Sequence, residues 1–137
     1  MTRRLLVLCI VMIPVLLAPV GASAMRRPEH RAYLMVNAAR ARHDHRSVSP
    51  RTRLMRYAEH HSRMMARRKR LYHSALSVSG FRSLGECVGS GTSVVRVQRA
   101  FMHSSTHRSI ILGRWRWVGI GVAHRDGIRY VTEVFAR

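Results

Sequence analysis

The residues that invite chemistry first are His103 and His107 in the stretch FMHSSTHRSIILG, residues 101–113, with two serines and a threonine between them. Histidines at i and i+4 on a helix share a face and can hold zinc together, but the strong metalloprotease signature also needs a glutamate after the first histidine, and Ser104 stands there. Ser104, Ser105 and Thr106 prefer caps and turns to helix interiors, so a helix break between the two histidines is expected. A Ser/His hydrolase would need a serine held beside an oriented base, and no Gly-x-Ser-x-Gly elbow is present. Cys87 follows Glu86, and several histidines are available to activate it, which leaves a thiol nucleophile as one reading and an inert buried cysteine as the other. GSGTS at residues 89–93 lacks the lysine of a phosphate loop. Gly119 and Gly121 have no helix after them, so this Gly-x-Gly reads as a close backbone approach or a bend in a strand.

The elements that would position these groups follow from hydrophobic spacing. A helix is expected from Glu29 to about His43, with Ala32, Tyr33, Val36, Asn37 and Arg40 recurring at helical intervals. A second runs from about Pro50 to Arg70, with Leu54, Met55, Ala58, His61, Met65 and Ala66 along one broad face. Residues 71–93 are rich in Gly and Ser and read as a structured loop with a short strand. Thr92 or Ser93 can cap a third helix whose apolar side is Val94, Val97 and Phe101, and Ser105 or Thr106 can cap a further turn ended by Gly113. The period then changes to two: WRWVGIGVAH and IRYVTEVFA flank the turn RDG, which predicts an antiparallel hairpin. Helices first and strands last point to an α+β domain.

The first 24 residues have the form of a secretory signal peptide: Arg3 and Arg4, an apolar run from Leu5 to Val20, and the small-residue triplet Ala22, Ser23, Ala24. Cleavage after Ala24 would leave one domain over residues 25–137, without a transmembrane segment. The uncleaved alternative is a membrane anchor. Loss of Arg3 and Arg4 would lower the formal charge from +19 to +17, still strongly basic. Such a surface favours anionic partners, a cell-wall polymer or lipid head groups among them. The arginines are scattered, with a single basic run at Arg67–Arg70, which argues against specific nucleic-acid binding. Of the two cysteines, Cys9 lies in the leader, so Cys87 would have no internal disulfide partner.

Four segments taken together resemble the CAP superfamily (cysteine-rich secretory proteins, antigen 5 and pathogenesis-related class 1 proteins) in its short bacterial secreted form. LMVNAARARH is similar to the family's opening helix, with Asn37 and Arg40 in its Asn-x-x-Arg pattern. LMRYAEHHSRMMARRKRLYHS resembles its second helix and the following His73-Ser74 pair. GECVGSG stands where the family has Gly-Glu-Asn, and VQRAFMHSSTHRSIIL with the closing hairpin resembles its Ser-x-x-His-Arg-x-x-Ile-Leu turn and Gly-x-Gly strand.

The resemblance implies a three-layer α-β-α sandwich with an antiparallel central sheet and a shallow central cleft. Carried over by residue, it places His73, Glu86 and His107 in that cleft, with His73 and His107 as the ligands of a divalent metal, commonly zinc. A purely structural polar network of the same three residues is the competing expectation. Two departures bear on activity. No Asp or Glu occurs between Thr92 and Thr106, so the second acidic residue of many members is absent, and Cys87 replaces the family asparagine. The resemblance further implies a secreted protein, extracellular or cell-wall associated, that binds a lipid, a sterol or a wall component. A hydrolase using a metal-bound water or Cys87, and electrostatic adhesion to anionic polymers, are the alternatives.

Overall fold

The computed structural model describes residues 25–137, and the signal-peptide reading of residues 1–24 lies outside the described residues. Alternating sequence in the C-terminal third builds the centre of the fold. β3 (Trp117–Arg125) and β4 (Ile128–Ala136) pair antiparallel around the turn at Asp126 and Gly127, both at positive φ. β2 (Leu84–Gly91) pairs antiparallel with the other side of β4. β1, only Ser49–Pro50, lies parallel to β3 at the opposite edge, giving the order β1-β3-β4-β2.

This two-residue parallel contact makes the sheet mixed where an antiparallel one was expected. An edge is the place in a sheet that tolerates a proline, and the pairing is made around Pro50, by Ser49 N to Arg116 O and Arg51 N to Val118 O, each 3.0 Å. A second difference is β2 itself. Its eight residues replace the short strand expected inside a loop.

Helices cover both faces of the sheet, so the three-layer α-β-α sandwich is observed. α2 (Thr52–Arg68) packs alone on one face, burying Leu54 and Ala58 against Val134 and Ala136. α1 (Arg27–Ala41), α3 (Val94–His103) and α4 (Ser105–Ile111) cover the other, where Val36, Val97, Phe101 and Ile111 meet Val118, Ile120, Val131 and Phe135. Helix bounds fall within about two residues of those read from the sequence, the usual uncertainty of helix ends.

The glycines of β3 show why α2 sits so close. A Cβ on Gly119 would come within 2.1 Å of the Leu54 backbone, and one on Gly121 within 2.3 Å of the Ala58 backbone. Ser62 fastens this contact, donating from Oγ to Gly121 O at 2.8 Å.

Asn37 and Arg40 serve the scaffold. Asn37 exchanges two hydrogen bonds with the Val48 backbone, at 2.9 and 3.1 Å, which fixes the approach of β1. Arg40, 2% exposed, donates to the carbonyls of Arg46, Ile111 and Gly113, tying the end of α1 to the end of α4.

Candidate functional site

Glu86 anchors the candidate site. It lies on β2, the free edge of the sheet, with its side chain 4% exposed. Such a burial is tolerable only if the carboxylate is well provided with donors, and three come from the segment after α2. His73 Nδ1 and Ser74 N each lie 2.9 Å from Glu86 Oε1, and Ser74 Oγ donates to Oε2. Tyr57 on α2 extends the chain of bonds, its hydroxyl donating to Ser74 Oγ at 2.8 Å. The turn that brings the segment round begins where α2 ends at Lys69, at φ 50°, and His61 Nε2 meets Tyr72 O at 2.8 Å. His73 remains outward, its side chain 63% exposed.

His107 comes from the other face of the sheet. The expected break between His103 and His107 is observed: α3 ends at His103, and Ser104, rather than Ser105 or Thr106, caps α4. Ser104 Oγ accepts from His107 N at 3.5 Å and lies 3.0 Å from His107 Nδ1, so the capping residue also sets the ring. Phe101 backs the imidazole, with ring centroids 4.8 Å apart. Phe101 in turn rests on Gly89, where a Cβ would intrude to 2.6 Å. The Gly-rich stretch GSGTS therefore ends a strand and admits an aromatic ring; it is no phosphate loop.

Partial burial lowers the pKa of His107, and the nearby charge of His73 lowers it further. The structure thus brings His73, Glu86 and His107 to one edge of the sheet, while His103 ends α3 as an exposed residue. Among the described residues, no three of His, Cys, Asp and Glu gather as a set of metal ligands.

Burial disfavours a nucleophilic role for Cys87. It is 0% exposed within the core formed with Val131 and Phe135, and burial, reinforced by Glu133 and Glu86, pushes its thiol pKa well up. Its sulfur approaches the His107 carbonyl oxygen, 3.8 Å away. The thiolate that nucleophilic chemistry requires is therefore not formed near neutral pH.

One ionisable group missed in the sequence reading sits opposite Cys87 on β4. Glu133 is 0% exposed, accepts from Gln98 Nε2 through Oε1, and has no partner at Oε2 among the described residues. The signal was present in IRYVTEVFA, where Glu133 is in phase with the inward-facing Val131 and Phe135. Burial pushes its carboxyl up to about 8, so it is mostly neutral at pH 7. It belongs to the core beneath α3, on the opposite face of the sheet from Glu86.

The family model of the cysteine-rich secretory protein family, CAP, matches residues 33–135, most of the chain. This chain belongs to the CAP family. The CAP domain is similar to an outer surface protein of Borrelia burgdorferi, with a TM-score of 0.74 at 14% identity, over 82% of this chain and 93% of that one. It is similar to an extracellular SCP-domain protein of Bacillus anthracis, with a TM-score of 0.69 at 20% identity, over 88% of this chain but 45% of that one. A third likeness is to venom allergen-like protein 4 of Schistosoma mansoni, with a TM-score of 0.71 at 8% identity, over 82% and 89% of the two chains. No curated protein matches the sequence. At these identities the likenesses establish the fold of the CAP domain. Its chemistry has to be argued from its own residues.

Proposed function

We propose that this CAP domain acts outside the cell and that its His73–Glu86–His107 cleft takes up a divalent metal, zinc by preference, to present it to an extracellular lipid or wall component. The observation that carries the metal reading is the treatment of the two rings. His73 Nδ1 is held by Glu86 and His107 Nδ1 lies beside Ser104 Oγ, which with Nδ1 as donor leaves the Nε2 lone pair of each ring free. A carboxylate behind a histidine is the usual support of a metal ligand, because it fixes the tautomer and makes the free nitrogen more basic. The lowered pKa of His107 keeps it in the neutral form that metals require.

His73 and His107 would be the two protein ligands of the metal. A bound cation would supply Lewis-acid polarisation of whatever oxygen reaches it. Glu86 orients His73 and holds the segment that carries it; engaged by three donors, it is poorly placed to act as a mobile base. The secretory form of residues 1–24 and the extracellular and outer-surface descriptions of the structural relatives support export.

Calorimetric titration of the purified protein with zinc at neutral pH tests the reading. One saturable site is expected, abolished in the His73→Ala/His107→Ala variant without loss of fold and weakened about 10- to 100-fold in Glu86→Gln. Absence of zinc uptake by the folded wild-type protein would refute it.

A further inference from the structure

A concave feature lies away from His73, Glu86 and His107, where the end of α1 faces the turn entering β3. It is a cavity of about 360 Å³ lined by five arginines: Arg40, Arg46, Arg114, Arg116 and Arg137. One carboxylate, Asp44, shares the lining. None of the five arginines takes part in an ion pair among the described residues. Arg40 is nearly wholly buried, its Nε and Nη1 donating to the carbonyls of Arg46, Ile111 and Gly113. Carbonyls satisfy hydrogen bonds but leave the charge of the guanidinium uncompensated, and a buried unpaired charge is costly. Arg46, Arg114, Arg116 and Arg137 are exposed and add like charge to the same lining, although Arg116 also stacks over Trp117, 4.8 Å from the ring centroid, and Arg137 Nε donates to Ser83 Oγ at 3.3 Å.

We propose that this cavity is a binding site for a phosphate-type oxyanion carried by a soluble extracellular molecule, such as a phosphorylated wall polymer. Guanidinium forks match phosphate oxygens two at a time, which lysines cannot do, and convergence of several forks favours a multiply charged group over a single carboxylate. The volume lies within the range of small-ligand pockets, enough for the anion and part of the chain that bears it. A membrane is the less fitting source of the same chemistry. Among the described residues the exposed large apolar side chains are Leu34 and Leu71, neither of which borders the cavity, and the aromatic residue in its lining, Trp115, is half-buried, so the described residues offer no exposed apolar lip to a bilayer beside this charge. His73, Glu86 and His107 do not line this cavity, and the inference stands independently of metal binding.

The test separates a built site from diffuse positive charge by comparing two variants with equal loss of charge. Arg114→Gln/Arg116→Gln alters the cavity. Arg67→Gln/Arg68→Gln alters the far end of the sheet, where Arg125 Nη1 reaches Arg67 O at 3.3 Å, about 27 Å away along β3. Pyrophosphate is titrated into the whole protein at about 0.15 M salt, where contributions from distant exposed charges are largely screened. Wild type is expected to show one site, weakened at least tenfold in the cavity variant and changed less than twofold in the distal one. Vesicles of phosphatidylglycerol are expected to lose binding equally in both variants. Equal weakening of pyrophosphate binding in the two variants, no pyrophosphate binding by folded wild type, or vesicle binding that depends selectively on Arg114 and Arg116 would each overturn the proposal.

Discussion

Glu86 Oε1 lies 2.9 Å from both His73 Nδ1 and Ser74 N, so a single buried carboxylate oxygen holds the segment that follows α2. Glutamine in its place keeps the shape but cannot accept these donors and that of Ser74 Oγ with a neutral two-ended amide. Glu86→Gln is expected to destabilise the fold by about 1–3 kcal/mol, the range for hydrogen bonds to a charged group. Hydrogen exchange at the Ser74 amide should accelerate more than at the amides of β4. Unchanged protection at Ser74 would show that the carboxylate does not anchor the segment.

Gly121 is required by proximity, since α2 leaves no space for a side chain over β3. Gly121→Ala must push α2 off the sheet or break the Ser62–Gly121 bond of 2.8 Å. A loss of at least about 2 kcal/mol in denaturant unfolding is expected, toward the upper part of the range for overpacked sites. Gly127, in the hairpin turn with open space around it, should also lose stability on substitution, but through its φ of 76°. A tolerated Gly121→Ala would mean that α2 is free to shift.

The thiol of Cys87 should be silent while the protein is folded. Burial disfavours the thiolate, and the carboxylates of Glu133 and Glu86 disfavour it further. Labelling of Cys87 with a chromophoric disulfide reagent at pH 8 is expected to be negligible over minutes in the folded protein and complete in denaturant. Rapid labelling of native protein would contradict the assigned burial.

Glu133 links stability to pH in the opposite sense to a paired surface carboxylate. Its folded pKa, about 8, lies above the ordinary value of 4.5, so between these values the native state holds a proton that the unfolded chain has released. This contribution to stability is complete below about pH 4.5 and is lost as pH rises toward 8, with a slope of roughly 1.4 kcal/mol per pH unit. Glu133→Gln should remove that slope, visible as a flatter dependence of the unfolding midpoint on pH from 5 to 8. An identical pH profile in the variant would show that Glu133 is not the group responsible.

How much of the structure is legible in the residues follows from how local each signal is. The hairpin is legible in WVGIGVAHR and IRYVTEVFA because alternation and a positive-φ turn act within a few residues. The site was accessible only through the joined motifs of the resemblance: Glu86 and His107 lie far apart in sequence, and no spacing rule brings a strand and a short helix to one edge. β2 is mostly loop-like in sequence because LGECVGSG has a single β-branched residue and three glycines, and its strand state depends on pairing with β4. β1 was invisible for a similar reason, its two residues being defined by contact with Trp117 and Val118. The same non-local logic hid the arginine cavity, whose walls come from residues 40–46, 113–116 and 137.

The central claim, that His73 and His107 are two walls of one metal site supported by Glu86, is tested most directly by an anomalous difference map from zinc-soaked crystals. The account predicts a peak within about 2.0–2.1 Å of both Nε2 atoms, with Glu86 still bonded to His73 Nδ1. Zinc found only at other histidines, or no peak between these two rings, would contradict it.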